Sequence, residues 1–187
     1  ITGANQMGSI RVGAGDMATM LIKAELDLDN MDIAEDVKRY PLAKVESMFH
    51  IRMEDGSVRF YNEPLPAHVY SRVVVLKEQT LEPLITPHSM ERIRTVRREA
   101  KRRVFVRNVL RALRQVAPDG NIRLLDFVVM VGGSALDFEI PEMVTEALAE
   151  YKIVAGRANI RGSMGPRNAV ATGLVLSHFS RNSKGKA

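Results

Sequence analysis

Val129-Met130-Val131-Gly132-Gly133-Ser134-Ala135-Leu136-Asp137-Phe138-Glu139-Ile140-Pro141 carries the clearest structural signal in this chain of 187 residues. Apolar residues run from Phe127 to Val131 without alternation, the pattern of a strand covered on both faces. Gly132 and Gly133 end the run, Ser134 follows, and Pro141 suits the first turn of a helix. Two glycines remove side-chain bulk, so a flat ring or a phosphate can come close to the backbone. In open α/β sheets, ligands sit beyond the carboxyl ends of the strands, which is where such a turn lies. An ordinary strand-to-helix turn has the same local pattern, so the turn alone leaves both readings open.

Working outward, the pattern upstream predicts a long helix from Ser89 to Val116, with Ile93, Val96, Ala100, Val104, Leu110 and Leu113 near one face. Pro118-Asp119-Gly120 ends it, and the apolar strand covers Leu124 to Val131. Downstream come a helix from Pro141 to about Tyr151, a short strand near Ile153-Val154, a loop from Gly162 to Pro166 and a last helix over Asn168–Phe179. Toward the start, Gly8 to Val12 reads as a strand ended by Gly13-Ala14-Gly15. Asp16 then caps a helix through Met17, Met20, Leu21, Ala24 and Leu28. A second helix starts near Asp32, contains Glu35 and Lys38, and stops at Pro41. Met48 to Met53 and Ser57 to Tyr61 are strands flanking Asp55-Gly56, a dipeptide that favours a tight hairpin turn. Val69 to Leu76 is a further strand, and Pro83 and Pro87 bracket a loop. Strands alternating with helices place the chain in the α/β class.

Composition narrows the function. With 45% hydrophobic residues the chain can form a real core, and no run reaches the roughly 18–20 apolar residues of a membrane helix. The absence of cysteine excludes disulfides and thiolate-held metals, and the cytoplasm is the expected compartment. The chain starts at Ile1, and the expectation is a piece of a longer protein. Net charge is +5 and the pI about 9.7, yet ten basic residues fall between Arg92 and Arg114 and the remainder is slightly acidic. A nucleic-acid-binding domain using that basic helix is therefore one alternative. Against it, aromatics are only 5% of the chain, which offers no stacking platform, and Glu91 and Glu99 sit among the arginines. His50, His68, His88 and His178 show no ligand spacing. The methionines read as core filling, and Asp27, Asp29, Asp32 and Asp36 as helix capping and solvation.

The Val129–Pro141 segment resembles the adenosine-binding motif of the actin, sugar-kinase and heat-shock-chaperone superfamily. Gly165-Pro166-Arg167-Asn168-Ala169-Val170-Ala171-Thr172-Gly173 resembles the final Ala-Val-Ala-x-Gly helix of those proteins, in the right order and about thirty residues on. Glu35 and Lys38, three apart on one helix face, resemble the chaperones' Glu-x-x-Lys helix. There the acid meets ribose hydroxyls, and the lysine lies near the base. Gly13-Ala14-Gly15-Asp16 resembles the turn after the second phosphate loop. The resemblance narrows to the large subunit of diol/glycerol dehydratase reactivases on Lys38 to Ser47, Leu110 to Val116 and Asn159-Ile160-Arg161-Gly162.

That resemblance implies a ribonuclease-H-like, actin-like ATPase second lobe with a small hairpin-containing α+β subdomain. Residues 1–31 would start the lobe, 32–88 form the small upper subdomain, 89–180 complete the lobe and 181–187 form a frayed tail. The implied nucleotide-binding residues are Glu35, Asp36, Lys38, Gly132, Gly133, Ser134 and Pro166, with ATP or ADP as ligand. Implied partners are the reactivase small subunit and an adenosylcobalamin-dependent dehydratase, with no nucleic acid and no membrane. The family's Asp-rich phosphate loops, which hold magnesium and orient the attacking water, do not occur in this sequence. Hydrolysis of ATP by the isolated chain is therefore not expected. A docking module that no longer uses nucleotide is the second alternative.

Overall fold

The structure is a computed structural model that describes residues 14–78, 80–159, 162 and 165–184. It divides into two compact units, Val12–Val104, and Phe105–Ala187 together with Ile1–Arg11. The strand expected over Gly8–Val12 lies outside the described residues.

In the Val12–Val104 unit, helix α1 spans Ala14–Glu25 and α2 spans Met31–Arg39. Five short strands follow: β1 Leu42–Val45, β2 His50–Met53, β3 Val58–Phe60, β4 Val73–Leu76 and β5 Leu81–Pro83. They form an antiparallel sheet in the order β3-β2-β1-β4-β5. Helix α3, Met90–Lys101, completes the unit. Strand β4 is buried along its whole length because both of its faces are covered. Val73 and Val75 pack with Ile22, Val37, Ile93 and Val96 of the helices, while Val74 and Leu76 pack with Ile51, Leu65 and Val69 on the other side.

Several boundaries differ from expectation. Asn30, not Asp32, caps α2: its backbone is extended and its Oδ1 accepts from Ile33 N at 2.9 Å. Asp16 lies inside the first turn of α1, where a negative charge favours the helix dipole without capping it. The hairpin turn is longer than the two-residue form. Gly56 N donates to Met53 O and Met53 N to Ser57 O, and within Glu54–Gly56 only Gly56, at φ 89°, has a positive φ. This is the three-residue loop whose last residue is left-handed. The strand expected from Val69 begins only at Val73, after a 3-10 turn over Ala67–Val69.

The helix expected over Ser89–Val116 has Ser89 as its cap, accepting from Arg92 N at 3.2 Å. It is interrupted by a π turn, Arg102–Val106, before helix α4, Arg107–Val116. The basic residues do not all face solvent. Arg97 and Lys101 are fully buried, and Arg97 holds Glu54 through two hydrogen bonds of 2.9 Å. Arg103 bonds Glu99 and Glu25, each at 2.9 Å.

In the Phe105–Ala187 unit, α4 is followed by strand β6, Phe127–Met130, helix α5, Ile140–Ala149, strand β7, Val154–Arg157, and helix α6, Ala169–Lys184. Strands β6 and β7 pair in parallel from Phe127↔Val154 to Met130↔Arg157, so β6-α5-β7 is a crossover unit. Its core gathers Leu113, Val116, Ile140, Met143, Leu148 and Ile153. Burial of β6 on both faces is not what the structure has. Val128 and Met130 pack on the core, whereas Phe127 is 69% and Val129 53% exposed. The last helix also runs past Phe179, to Lys184. The α/β class holds.

Candidate functional site

Helices α1 and α2 bring four polar groups of the Val12–Val104 unit together. Lys38 Nζ donates to Glu35 Oε2 at 2.5 Å, Thr19 Oγ1 at 2.7 Å and Gly15 O at 3.2 Å. The Thr19 hydroxyl has two acceptors in reach, Glu35 Oε2 at 2.6 Å and Gly15 O at 3.1 Å. Thr19 is buried and the Lys38 side chain only 11% exposed, while that of Glu35 is 38% exposed. The three-residue spacing on α2 sets Glu35 beside Lys38, and the four-residue spacing on α1 stacks Thr19 over Gly15. Burial works to raise the Glu35 carboxyl, but hydrogen bonds from Lys38 and Thr19 and the charges of Lys38 and Arg39 outweigh it. Glu35 therefore ionises below the usual carboxylate range.

Asp36 does not join this cluster. One position on from Glu35, it faces elsewhere and pairs with Lys77 Nζ at 2.8 Å. Thr19 is a residue the sequence reading missed. Its signal was slight: a hydroxyl one helical turn after Gly15, within an otherwise apolar buried stripe of Ala18 and Ile22.

The second group lies in the Phe105–Ala187 unit. Gly132 follows β6 with φ 89°, a conformation that side-chain-bearing residues rarely adopt. Gly133 to Leu136 form a 3-10 turn, and Asp137 Oδ1 accepts from Glu139 N and Ile140 N at 2.9 and 3.0 Å, closing the start of α5. A Cβ placed on Gly132 or Gly133 would meet nothing within 4 Å, and Ser134 is exposed. The space over the turn is open.

Gly132 N donates to Pro166 O at 2.9 Å, so the turn after β6 is tied to the loop that leads into α6. Asn159 shapes that loop: its Nδ2 donates to Gly162 O at 3.0 Å, and its Oδ1 accepts from Gly165 N at 3.2 Å. Pro166 is buried. Ile160 and Arg161 of the Asn159–Gly162 motif, and Gly13 of the first glycine turn, lie outside the described residues. A groove of about 500 Å³ opens at the carboxyl ends of β6 and β7, lined by Met130, Leu136, Phe138, Pro141 and Arg157 among others. The predicted residues thus fall into two sets. Glu35 and Lys38 meet in one unit, and Gly132 and Pro166 meet in the other, with Gly133 and Ser134 beside them. Among the described residues no group of three or more metal-ligating side chains gathers, and no helix is long and apolar enough to cross a membrane.

Comparison with known proteins gives a consistent result. The profile of the family described as "Diol dehydratase reactivase ATPase-like domain" matches residues 1–178. The chain is 60% identical over 174 residues to the propanediol dehydratase-reactivating factor large subunit of Citrobacter freundii, a match covering 93% of this chain and 28% of that protein. It is 63% identical over 165 residues to the diol dehydratase-reactivating factor large subunit of Klebsiella michiganensis, covering 88% and 27%. Among solved structures, a glycerol dehydratase reactivase superposes with a TM-score of 0.84 at 57% identity, over 90% of this chain and 28% of that one. A diol dehydratase-reactivating factor in nucleotide-free form gives 0.82 at 63% identity, over 88% and 27%. The chain spans little more than a quarter of the length of these relatives.

Proposed function

The chain belongs to the diol dehydratase reactivase ATPase-like domain family, and from that membership we propose that it is the adenosine-gripping portion of a reactivase large subunit. The finer fold assignment we propose is the ribonuclease-H-like second lobe of an actin-like ATPase, with residues 32–88 as its small hairpin-bearing subdomain. ATP and ADP are the proposed ligands, with magnesium held by phosphate loops of the longer protein. The proposed partners are the reactivase small subunit and an adenosylcobalamin-dependent diol or glycerol dehydratase. Nucleotide state would select between conformations of the reactivase, and one of them would release damaged cobalamin from the stalled enzyme.

The observation that carries this reading is the hydrogen bond from Gly132 N to Pro166 O. It joins the segment that resembles the adenosine motif to the one that resembles the superfamily's final helix, far apart in sequence, and it does so beside a turn with open space above it. Bare backbone at this turn leaves room for a flat base and ribose to approach, and it is the tie to the Pro166 segment, not the room alone, that sets it apart from other exposed glycines. Glu35 is the proposed acceptor for ribose hydroxyls, held by Lys38 from the same helix, whereas Asp36 is engaged with Lys77.

Gly133 provides the test. Its φ is not in the positive range and its Cβ position is free, so Gly133→Leu should fold normally while filling the ligand's space. ADP affinity, measured by titration calorimetry or ligand-observed NMR, is expected to fall at least about tenfold, equivalent to about 1.4 kcal/mol. The thermal midpoint should stay unchanged. Undiminished ADP binding by a folded Gly133→Leu variant would overturn the reading.

A further inference from the structure

From the geometry around Glu35 we infer that Thr19 is a positioning residue for ribose recognition, acting with Lys38 to hold the Glu35 carboxylate in one orientation. The inference rests on the nucleotide reading given above and assigns a division of labour within it.

A lysine ammonium has three N–H donors, and Lys38 has three acceptors inside the protein: Glu35 Oε2, Thr19 Oγ1 and Gly15 O. No donor is left over for a ligand while those bonds stand. With its side chain 11% exposed, Lys38 acts on nucleotide through Glu35 rather than by touching it. Glu35 has the opposite character. Its Oε2 takes hydrogen bonds from Lys38 and Thr19, while Oε1 has no partner among the described residues and the side chain is 38% exposed. An ionised carboxylate with one oxygen fixed and the other free is suited to accept from a hydroxyl, and hydrogen bonds to charged groups are the stronger kind.

Thr19 makes the arrangement rigid. Its hydroxyl donates to Glu35 Oε2 at 2.6 Å and accepts from Lys38 Nζ at 2.7 Å. Lys38 alone would leave a three-carbon acid and a four-carbon amine sharing a single contact. The hydroxyl closes a triangle whose third corner is anchored on α1. Oε1 is then presented in a set direction before any ligand arrives, which lowers the ordering cost of binding.

The test compares ADP with 2′,3′-dideoxy-ADP on the 187-residue chain, using ligand-observed NMR titration, together with thermal unfolding of every variant. The original chain is expected to favour ADP by about tenfold, the scale of one charge-assisted hydrogen bond. Thr19→Val should reduce that preference below about threefold, whereas Thr19→Ser, which keeps the hydroxyl, should retain it. A purely structural role for Thr19 would lower the thermal midpoint and leave the ratio alone. An unchanged ratio in folded Thr19→Val therefore overturns the inference. Glu35→Gln separates the two levels. If it abolishes the preference and Thr19→Val does not, the positioning role fails and the ribose contact stands. If Glu35→Gln leaves the preference intact, the ribose reading fails and takes the positioning role with it.

Discussion

Glu54, in the turn after β2, accepts three hydrogen bonds from two donors. Its Oε2 takes Leu42 N at 3.2 Å, and its two oxygens take Arg97 Nη2 at 2.9 Å each. The guanidinium also reaches Tyr40 O at 3.3 Å, so the hairpin, the start of β1 and α3 are pinned by one ion pair. Arg97 is fully buried and the Glu54 side chain only 11% exposed. Removing one partner of such a pair leaves a desolvated charge, and Glu54→Ala is expected to cost about 3–5 kcal/mol in urea unfolding. A loss below about 1 kcal/mol, the range of an exposed pair, would refute that. The same pair marks a limit of reading charge from sequence. Arg97 and Arg98 stand side by side in a basic run, and only the register of α3 against the sheet decides that the first is interior. Of the candidate site residues, Glu35 and Lys38 were legible through their spacing on one helix. Thr19 was not, because its partners come from a second helix that no local pattern connects to it.

At the scale of elements, backbone chemistry was the most legible information. Asp55-Gly56 turns the hairpin and Pro141 stands in the first turn of α5, as the sequence predicts, and Ser89, expected only as the start of the long helix, is its cap. Each of these positions has a conformational or hydrogen-bonding need that few residue types meet. Coverage of faces was less legible. The run Phe127-Val128-Val129-Met130 has the composition of a strand buried on both sides, yet only Val128 and Met130 pack on the core. Apolar composition records what a strand could bury, not what lies against it. The turn after β6 gives a paired prediction. Gly132, at φ 89°, should tolerate alanine poorly, at about 1–2 kcal/mol, even though a Cβ there meets nothing. Gly133, outside the positive range, should accept alanine with little change or a gain of up to about 1 kcal/mol. Thermal unfolding of the two variants checks this, and equal midpoints would show that the left-handed angle carries no cost.

For the whole molecule, what could be read in advance was the class and the kinship: an α/β chain resembling reactivase large subunits, an identification the comparisons bear out. The division at Val104 and Phe105 was not readable, since it falls within a π turn inside what the sequence presents as one continuous amphipathic helix. Each unit has its own buried cluster. Leu148 is fully buried in the cluster of the Phe105–Ala187 unit, and Leu148→Ala should cost about 2–5 kcal/mol, read as a lowered urea midpoint. A cost under about 1 kcal/mol would mean that this cluster is not closely packed. The bond from Gly132 N to Pro166 O has one more consequence. An amide proton held by a carbonyl from a distant loop trades with deuterium only when that loop lifts away. The Gly132 amide is therefore a resident clock for the seating of the Pro166 segment, ticking slowly when the segment is down and fast when it is up, with no dye or label attached.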